Sequence, residues 1–145
     1  MIIVKVPIES SEKSAGCRKA GNEIIAQIEE KYVSENGKHI EKADLRFEEI
    51  HLDNENLLEA HKLIYENSLD EIGSNERTIF IGGDHSLTFS TAMAFKDVCE
   101  NEDKSPFLIV FDAHADCGIS ENLLANNFQW LRKLIESGFP SDKII

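Results

Sequence analysis

The stretch from Phe107 to Gly118, "FLIVFDAHADCG", joins an apolar run to a cluster of ionisable side chains. Five apolar residues come first, and Asp112, His114 and Asp116 then follow at every second position. A continuous apolar run of this length is typical of a buried strand in a parallel sheet, which helices cover on both faces. The stretch from Thr78 to Ser86, "TIFIGGDHS", has the same arrangement. Both stretches therefore predict parallel strands with ionisable groups at their carboxyl ends.

Strand-like and helix-like patterns alternate along the rest of the chain. Short β-branched or apolar runs predict strands at Ile2 to Val6 and at Leu45 to Leu52, and the chain enters another strand at Ile144. Apolar residues at helical spacing predict four helices, over residues 22–37, 53–73, 86–98 and 128–137. This alternation predicts an α/β fold with a mainly parallel sheet, in which ligands bind beyond the carboxyl ends of the strands.

The composition is that of one globular domain spanning residues 1–145, with 41% hydrophobic and 29% charged residues. No apolar run is long enough for a membrane helix, and a formal net charge of -12 disfavours nucleic acid and anionic lipid as partners. The three cysteines, Cys17, Cys99 and Cys117, lack the spacing of a thiolate zinc site and are odd in number. We therefore expect a cytoplasmic protein without a disulfide framework.

The acidic pair in "DAHAD" needs a positive charge. In an extended backbone, side chains two residues apart project to one side, so Asp112, His114 and Asp116 converge. Two carboxylates held this closely raise each other's pKa unless a cation lies between them. Oxygen and imidazole ligands suit Mn²⁺, Zn²⁺ or Fe²⁺ better than Ca²⁺ or Mg²⁺. His85 follows a glycine pair at the end of the other strand and is predicted as the fourth ligand.

Other interpretations of these residues are weaker. Asp84 by itself is interpreted as a cap or a solvated loop residue. Asp84, His85 and Ser86 are adjacent in sequence, so they cannot form the relay of a catalytic triad, and no G-x-S-x-G motif occurs. The glycine pair matches neither of the common phosphate-binding motifs. His61 is assigned no functional role and is expected to be an ordinary helix residue.

The two loops together carry a family resemblance. "GGDHS" at residues 82–86, "DAHAD" at 112–116 and "AGCRKAGNEII" at 15–25 resemble the amino-terminal half of the arginase/agmatinase/formimidoylglutamase (ureohydrolase) family. The resemblance implies a three-layer α/β/α fold and a centre of two manganese ions. It further implies that His85 and Asp116 bind one ion, that His114 binds the other and that Asp112 bridges both.

The same resemblance implies a hydrolase. Members cleave C–N bonds of guanidino, amidino or formimino compounds, such as arginine or agmatine, with a metal-bridging hydroxide. It also makes a homo-oligomer plausible for intact members.

The sequence also departs from the family pattern. The family completes its metal shell with a later S-x-D-x-D segment, whereas Asp142 is the only aspartate here after Asp116. No histidine follows His114, and Asn126 or Asn127 is expected where many members carry one. These departures predict a fold truncated after about half of the family structure. Two functions remain open: an enzyme whose missing ligands come from later sequence or a complementary chain, and a non-catalytic remnant that binds one metal ion or none.

Overall fold

In the computed structural model of this protein, a three-stranded parallel sheet forms the centre of the fold. The structure describes residues 1–28, 31–74, 77–119 and 123–145. The strands are β1 (Ile2–Val6), β4 (Arg46–Glu49) and β5 (Thr78–Gly82), in the order β4-β1-β5. β1 pairs with both neighbours, with Val4 opposite Glu48 on one side and Phe80 on the other. The predicted parallel α/β sheet is confirmed, although β4 is shorter than the predicted strand.

The two faces of β1 are covered by different layers. Ile2, Val4 and Val6 are buried on one face, where they pack with Ile64 of the helix α2 (Leu57–Ser74). Lys5 has the opposite orientation along the strand and donates a hydrogen bond to Asn22 of the helix α1 (Ala20–Ala26). Helices therefore lie on both sides of the sheet, as the three-layer prediction requires.

The predicted helix over residues 22–37 is wrong beyond Ala26. α1 ends there, residues 29 and 30 lie outside the described part of the chain, and an antiparallel pair follows. Its strands are β2 (Lys31–Val33) and β3 (His39–Glu41), with Gly37 in the connecting turn at a φ of 78°. Gly37 was expected to stop a helix, but a left-handed glycine serves a hairpin equally well.

The remaining helices agree with the predicted segments. α2 packs against α3 (Leu87–Asn101), and α4 (Trp130–Glu136) follows near the carboxyl end. Short 3-10 helices cover Glu12–Ser14, Cys17–Lys19, Lys42–Asp44 and Ser141–Lys143. His61 of α2 is buried, with Nδ1 2.9 Å from Oγ of Ser90 and Nε2 3.0 Å from the carbonyl oxygen of Ala125. This histidine therefore joins α2 to α3 and to the segment before α4.

The run Phe107 to Phe111 differs from the predicted buried strand. Among the described residues it forms one parallel bridge, between Leu108 and Ile144, and no ladder with β5. Leu108 packs on the cluster that contains Trp130. By contrast, Phe107, Ile109 and Phe111 are 47%, 55% and 96% exposed. Among the described residues, the cluster that contains Trp130 covers one face of this run, and the segment at Ile144 lies beside it. The other face is therefore open to solvent.

Within the described residues, no helix combines the length and apolar character needed to cross a bilayer.

Candidate metal centre

The loop after β5 makes a tight turn that needs glycine. The amide of Gly83 donates to the carbonyl oxygen of Val6, and the amide of Asp84 donates to that of Ile8. A Cβ on Gly83 would lie 2.0 Å from the Ile8 carbonyl oxygen, which is closer than any side chain can approach. Glycine is therefore required at this position, and the turn delivers the next two side chains to the carboxyl edge of the sheet.

Asp84 has a structural role in this turn. Its carboxylate is buried and accepts hydrogen bonds from the amide and hydroxyl of Ser10, at 2.6 and 2.8 Å, and from the amide and hydroxyl of Ser86, at 3.0 and 2.6 Å. Burial would raise the pKa of this carboxyl, but hydrogen bonds led by that from Ser14 lower it overall. Neither interpretation of Asp84 fits these contacts: it is not solvated, and it is not a cap, because the N-cap of α3 is Ser86 and Asp84 accepts hydrogen bonds from that residue.

Three of the four predicted ligands lie together. Nδ1 of His85 is 3.0 Å from Oδ2 of Asp112 and 3.0 Å from Oδ2 of Asp116. One ligand atom from each of the three residues lies within 4.8 Å of the other two. The side chains of Asp112 and Asp116 are 20% and 10% exposed, so two carboxylates and one imidazole share a partly enclosed space.

His114 lies apart from this group, because the backbone does not stay extended. The chain bends at residues 113 and 114, and Asp116 has a left-handed φ of 44°. The His114 side chain is 82% exposed, with Nδ1 3.4 Å from Oδ1 of Asp112. Its amide donates to the same oxygen at 2.9 Å, and this bond is the main cause of the lowered pKa of Asp112. The two oxygens of Asp112 therefore face different histidines.

A contact that the sequence analysis missed involves Trp130. Its indole Nε1–H donates to Oδ2 of Asp116 at 2.7 Å, and its ring centroid lies 4.6 Å from that of His85. The helix predicted over residues 128–137 contains Trp130, but the prediction gives that residue no role in the site. No spacing rule connects it to Asp116, so the sequence carries no signal for this bond.

The side chains of His85, Asp112, His114 and Asp116 line an open cleft of about 720 Å³, which is within the usual size range of small-molecule sites. Asn127 lines the cleft, whereas Asn126 is buried and its Oδ1 accepts from the amide of Phe128. The lining residues are Lys13, Ser14, Cys17, Asp84, His85, Asp112, His114, Ala115, Asp116, Cys117, Gly118, Asn127 and Phe128.

The donor set fits one divalent cation. His85, Asp112 and Asp116 offer one nitrogen and two carboxylate oxygens in a compact group, which suits a transition metal that keeps further coordination positions open. A second ion beside His114 would find only that imidazole and Oδ1 of Asp112 within the described residues. The residues present therefore fit one ion with three protein ligands better than two.

The sequence matches the family model described as the arginase family over residues 1–145. The chain belongs to the arginase family. No curated protein matches the sequence closely enough to be informative.

Solved arginase-family structures have the same fold. Formimidoylglutamase from Bacillus subtilis has a TM-score of 0.79 at 20% identity, covering 99% of this chain and 45% of its own. Proclavaminate amidino hydrolase from Streptomyces clavuligerus has a TM-score of 0.78 at 18% identity, covering 99% and 48%. Formiminoglutamase from Trypanosoma cruzi with Mn²⁺ has a TM-score of 0.77 at 15% identity, covering 99% and 50%. This arginase-family chain thus spans about half the length of the structures it resembles.

Proposed function

We propose that this chain provides one half of the active centre of a manganese-dependent amidinohydrolase. In this proposal His85, Asp112 and Asp116 hold one Mn²⁺, and His114 contributes to a second site that another polypeptide segment completes. The observation that carries the proposal is the convergence of one imidazole and two carboxylates beyond the carboxyl ends of two apolar runs.

Manganese suits the donor set and is the ion of the Trypanosoma cruzi relative. When bound, such ions lower the pKa of a coordinated water and stabilise the charge that develops when a C–N bond is hydrolysed.

The chain's own residues have separate tasks in this proposal. Asp112 presents Oδ2 towards His85 and Oδ1 towards His114, which is the arrangement that a carboxylate shared by two sites requires. Asp84 keeps its structural role, since its hydrogen bonds already satisfy its oxygens. The cleft has room for a small guanidino, amidino or formimino compound beside these groups.

The remaining ligands have to come from outside these 145 residues, since no S-x-D-x-D follows Asp116 in them. Later sequence or a complementary chain supplies this segment in the enzyme hypothesis. The second candidate function is a non-catalytic protein that binds a single ion, and the exposed position of His114 favours it. The number of manganese ions bound separates the enzyme from the non-catalytic protein. The non-catalytic protein binds at most one ion even when a segment with the S-x-D-x-D motif is added.

Asp112→Ala tests the proposed centre directly. The change removes a proposed ligand, so we expect the chain to lose manganese on dialysis. A longer protein or a two-chain complex that contains the whole centre should also lose amidine hydrolysis. Elemental analysis measures the metal, and assays on arginine, agmatine, guanidinobutyrate and formiminoglutamate measure the hydrolysis.

Asp142→Ala is the matched control for that change. This carboxylate is 76% exposed and contacts Lys143 rather than the centre, so its removal should leave manganese content unchanged. Unchanged manganese content in Asp112→Ala would contradict the proposed centre.

A further inference from the structure

The fully buried Trp130 is bonded to a group that the proposed function uses. Its side chain has 0% exposure and packs in a core cluster with Ala92, Leu134 and Phe139. Packing alone would explain a buried aromatic residue at the start of α4. It does not explain why the single polar atom of the ring points at Oδ2 of Asp116, 2.7 Å away.

The position of Asp116 depends on such side-chain contacts. Its backbone has a left-handed φ and lies outside any helix or strand, so no regular element sets the direction of the side chain. Oδ2 of Asp116 meets two ring nitrogens, Nε1 of Trp130 at 2.7 Å and Nδ1 of His85 at 3.0 Å. A bond from a neutral donor to a carboxylate is strengthened by the charge of the acceptor.

Trp130 contacts His85 as well. The two rings have centroids 4.6 Å apart and planes inclined by 45°. One rigid side chain, anchored in the core, therefore limits the movement of two of the three grouped ligands.

We propose that Trp130 is a positioning residue that fixes the Asp116 carboxylate and the His85 ring for metal binding. The proposal rests on the proposed function and adds to it a residue outside the ligand set. The indole holds the carboxylate in one orientation before an ion arrives, so less side-chain freedom is lost on binding. Hydrogen bonds to ligating groups of this kind typically change metal affinity by about 10–100-fold.

A metal-free experiment tests the hydrogen bond itself. Trp130 is the only tryptophan in the sequence, so a ¹⁵N-labelled sample gives a single indole N–H cross-peak. We expect Asp116→Ala to move this cross-peak, because the proton loses its carboxylate acceptor, and Asp142→Ala to leave it in place. An indole cross-peak that does not move in Asp116→Ala overturns the proposal.

A titration with Mn²⁺ tests the effect on binding. Trp130→Phe keeps an aromatic ring in the core and removes the donor together with part of the buried ring volume. We expect the dissociation constant for Mn²⁺, measured from the electron paramagnetic resonance of the free ion, to rise about 10-fold or more. Phe139→Leu is the control, since Phe139 belongs to the same cluster and is also buried. It should lower the melting temperature as Trp130→Phe does and leave the dissociation constant within about twofold of wild type. Wild-type affinity in Trp130→Phe, or equal weakening in both variants, overturns the proposal.

The combination with Asp116→Ala separates this proposal from the proposed function, because alanine leaves the indole without an acceptor. If Trp130 acts through Asp116, Trp130→Phe weakens binding much less in the Asp116→Ala background than in wild type. Full additivity of the two changes overturns the positioning role and leaves the proposed function intact. Failure of the wild-type chain to bind manganese overturns the proposed function, while the indole cross-peak still decides whether Trp130 holds Asp116.

Discussion

The two apolar runs that precede the acidic loops have similar compositions and different surroundings. β5 pairs with β1 over its whole length, from Thr78 opposite Ile2 to Gly82 opposite Val6. The run from Phe107 to Phe111 has one bridge, to Ile144, and every second side chain is exposed. An apolar sequence therefore sets the tendency to form a strand, while the neighbouring segments decide whether that strand joins a sheet. Burial is incomplete in both runs, since β5 has no buried residue and its Ile79 is 42% exposed.

The acidic residues after the two runs differ in the same way. Asp84 is buried and accepts hydrogen bonds from Ser10 and Ser86, so no further partner is required. Asp112 and Asp116 face one imidazole and leave room for a cation. The number of donors around each carboxylate, rather than its distance from a strand end, separates the structural acid from the candidate ligands.

The largest expected difference lies between the central strand of the sheet and the Phe107 to Phe111 run, and it concerns one buried and one exposed isoleucine. Ile2 in β1 is 1% exposed and Ile109 is 55% exposed. We expect Ile2→Ala to lower the free energy of unfolding by about 2–5 kcal/mol, since it leaves a cavity in the core. Ile109→Ala should change it by less than about 0.5 kcal/mol. Urea denaturation measures both, and equal losses would mean that the Phe107 to Phe111 run is as well packed as the sheet.

A smaller difference is expected between the two kinds of acid. Asp84→Ala leaves the amides and hydroxyls of Ser10 and Ser86 without their acceptor, and we expect a loss of about 1–3 kcal/mol in the free energy of unfolding. Asp112→Ala removes one of two neighbouring like charges together with the acceptor of the His114 amide, so we expect a smaller loss in the metal-free chain than in Asp84→Ala. Denaturation of the metal-free proteins measures both effects. A larger loss in Asp112→Ala than in Asp84→Ala would reverse the assignment of structural and ligand roles.

The smallest expected effect concerns His61, which connects the helices beside the sheet to the segment before α4. Burial lowers the pKa of His61 below its ordinary value of about 6.5, although the hydrogen bond to Ala125 raises it in part. As pH falls below about 6.5, the unfolded chain therefore binds this proton first. The contribution to stability is complete above that pH and is lost as pH falls towards the folded pKa.

Proton NMR of the imidazole measures the pKa of His61 directly, and pH-dependent denaturation of wild type and His61→Gln measures its effect on stability. The difference in unfolding free energy between the two proteins should decrease as the solution is acidified. A His61 pKa above 6.5 would contradict a buried, neutral imidazole that connects α2 to Ser90 of α3 and to Ala125.

Much of the fold follows from local patterns in the sequence. The apolar alternation predicted β1, β5 and the helices α2, α3 and α4, because these elements are set by local spacing. The helix predicted over residues 22–37 failed beyond Ala26, because Val33 continues the helical spacing of apolar residues and yet lies in β2. The hairpin β2-β3 depends on pairing between residues that the helical pattern did not consider. Exposure of Phe107 and Ile109 depends on which segments lie beside them, which no local pattern encodes.

The candidate site was predicted in part. The two motifs identified His85, Asp112 and Asp116, which the fold brings together. His114 was expected beside them on the assumption of an extended backbone, and the bend at residues 113 and 114 places its side chain outward. The part played by Trp130 depends on where α4 returns to the sheet edge, so only the three-dimensional structure reveals it.

The backbone conformation of Asp116 restricts which residue types this position can accept. A φ of 44° is tolerated by glycine, asparagine and aspartate at little cost, and by other side chains only with strain. Of these three, aspartate alone carries a negative charge. Glutamate would keep the charge and disturb the turn, while asparagine would keep the turn and give up the charge. Substitution by asparagine therefore leads to a well-folded protein that has lost the negative charge of this candidate ligand.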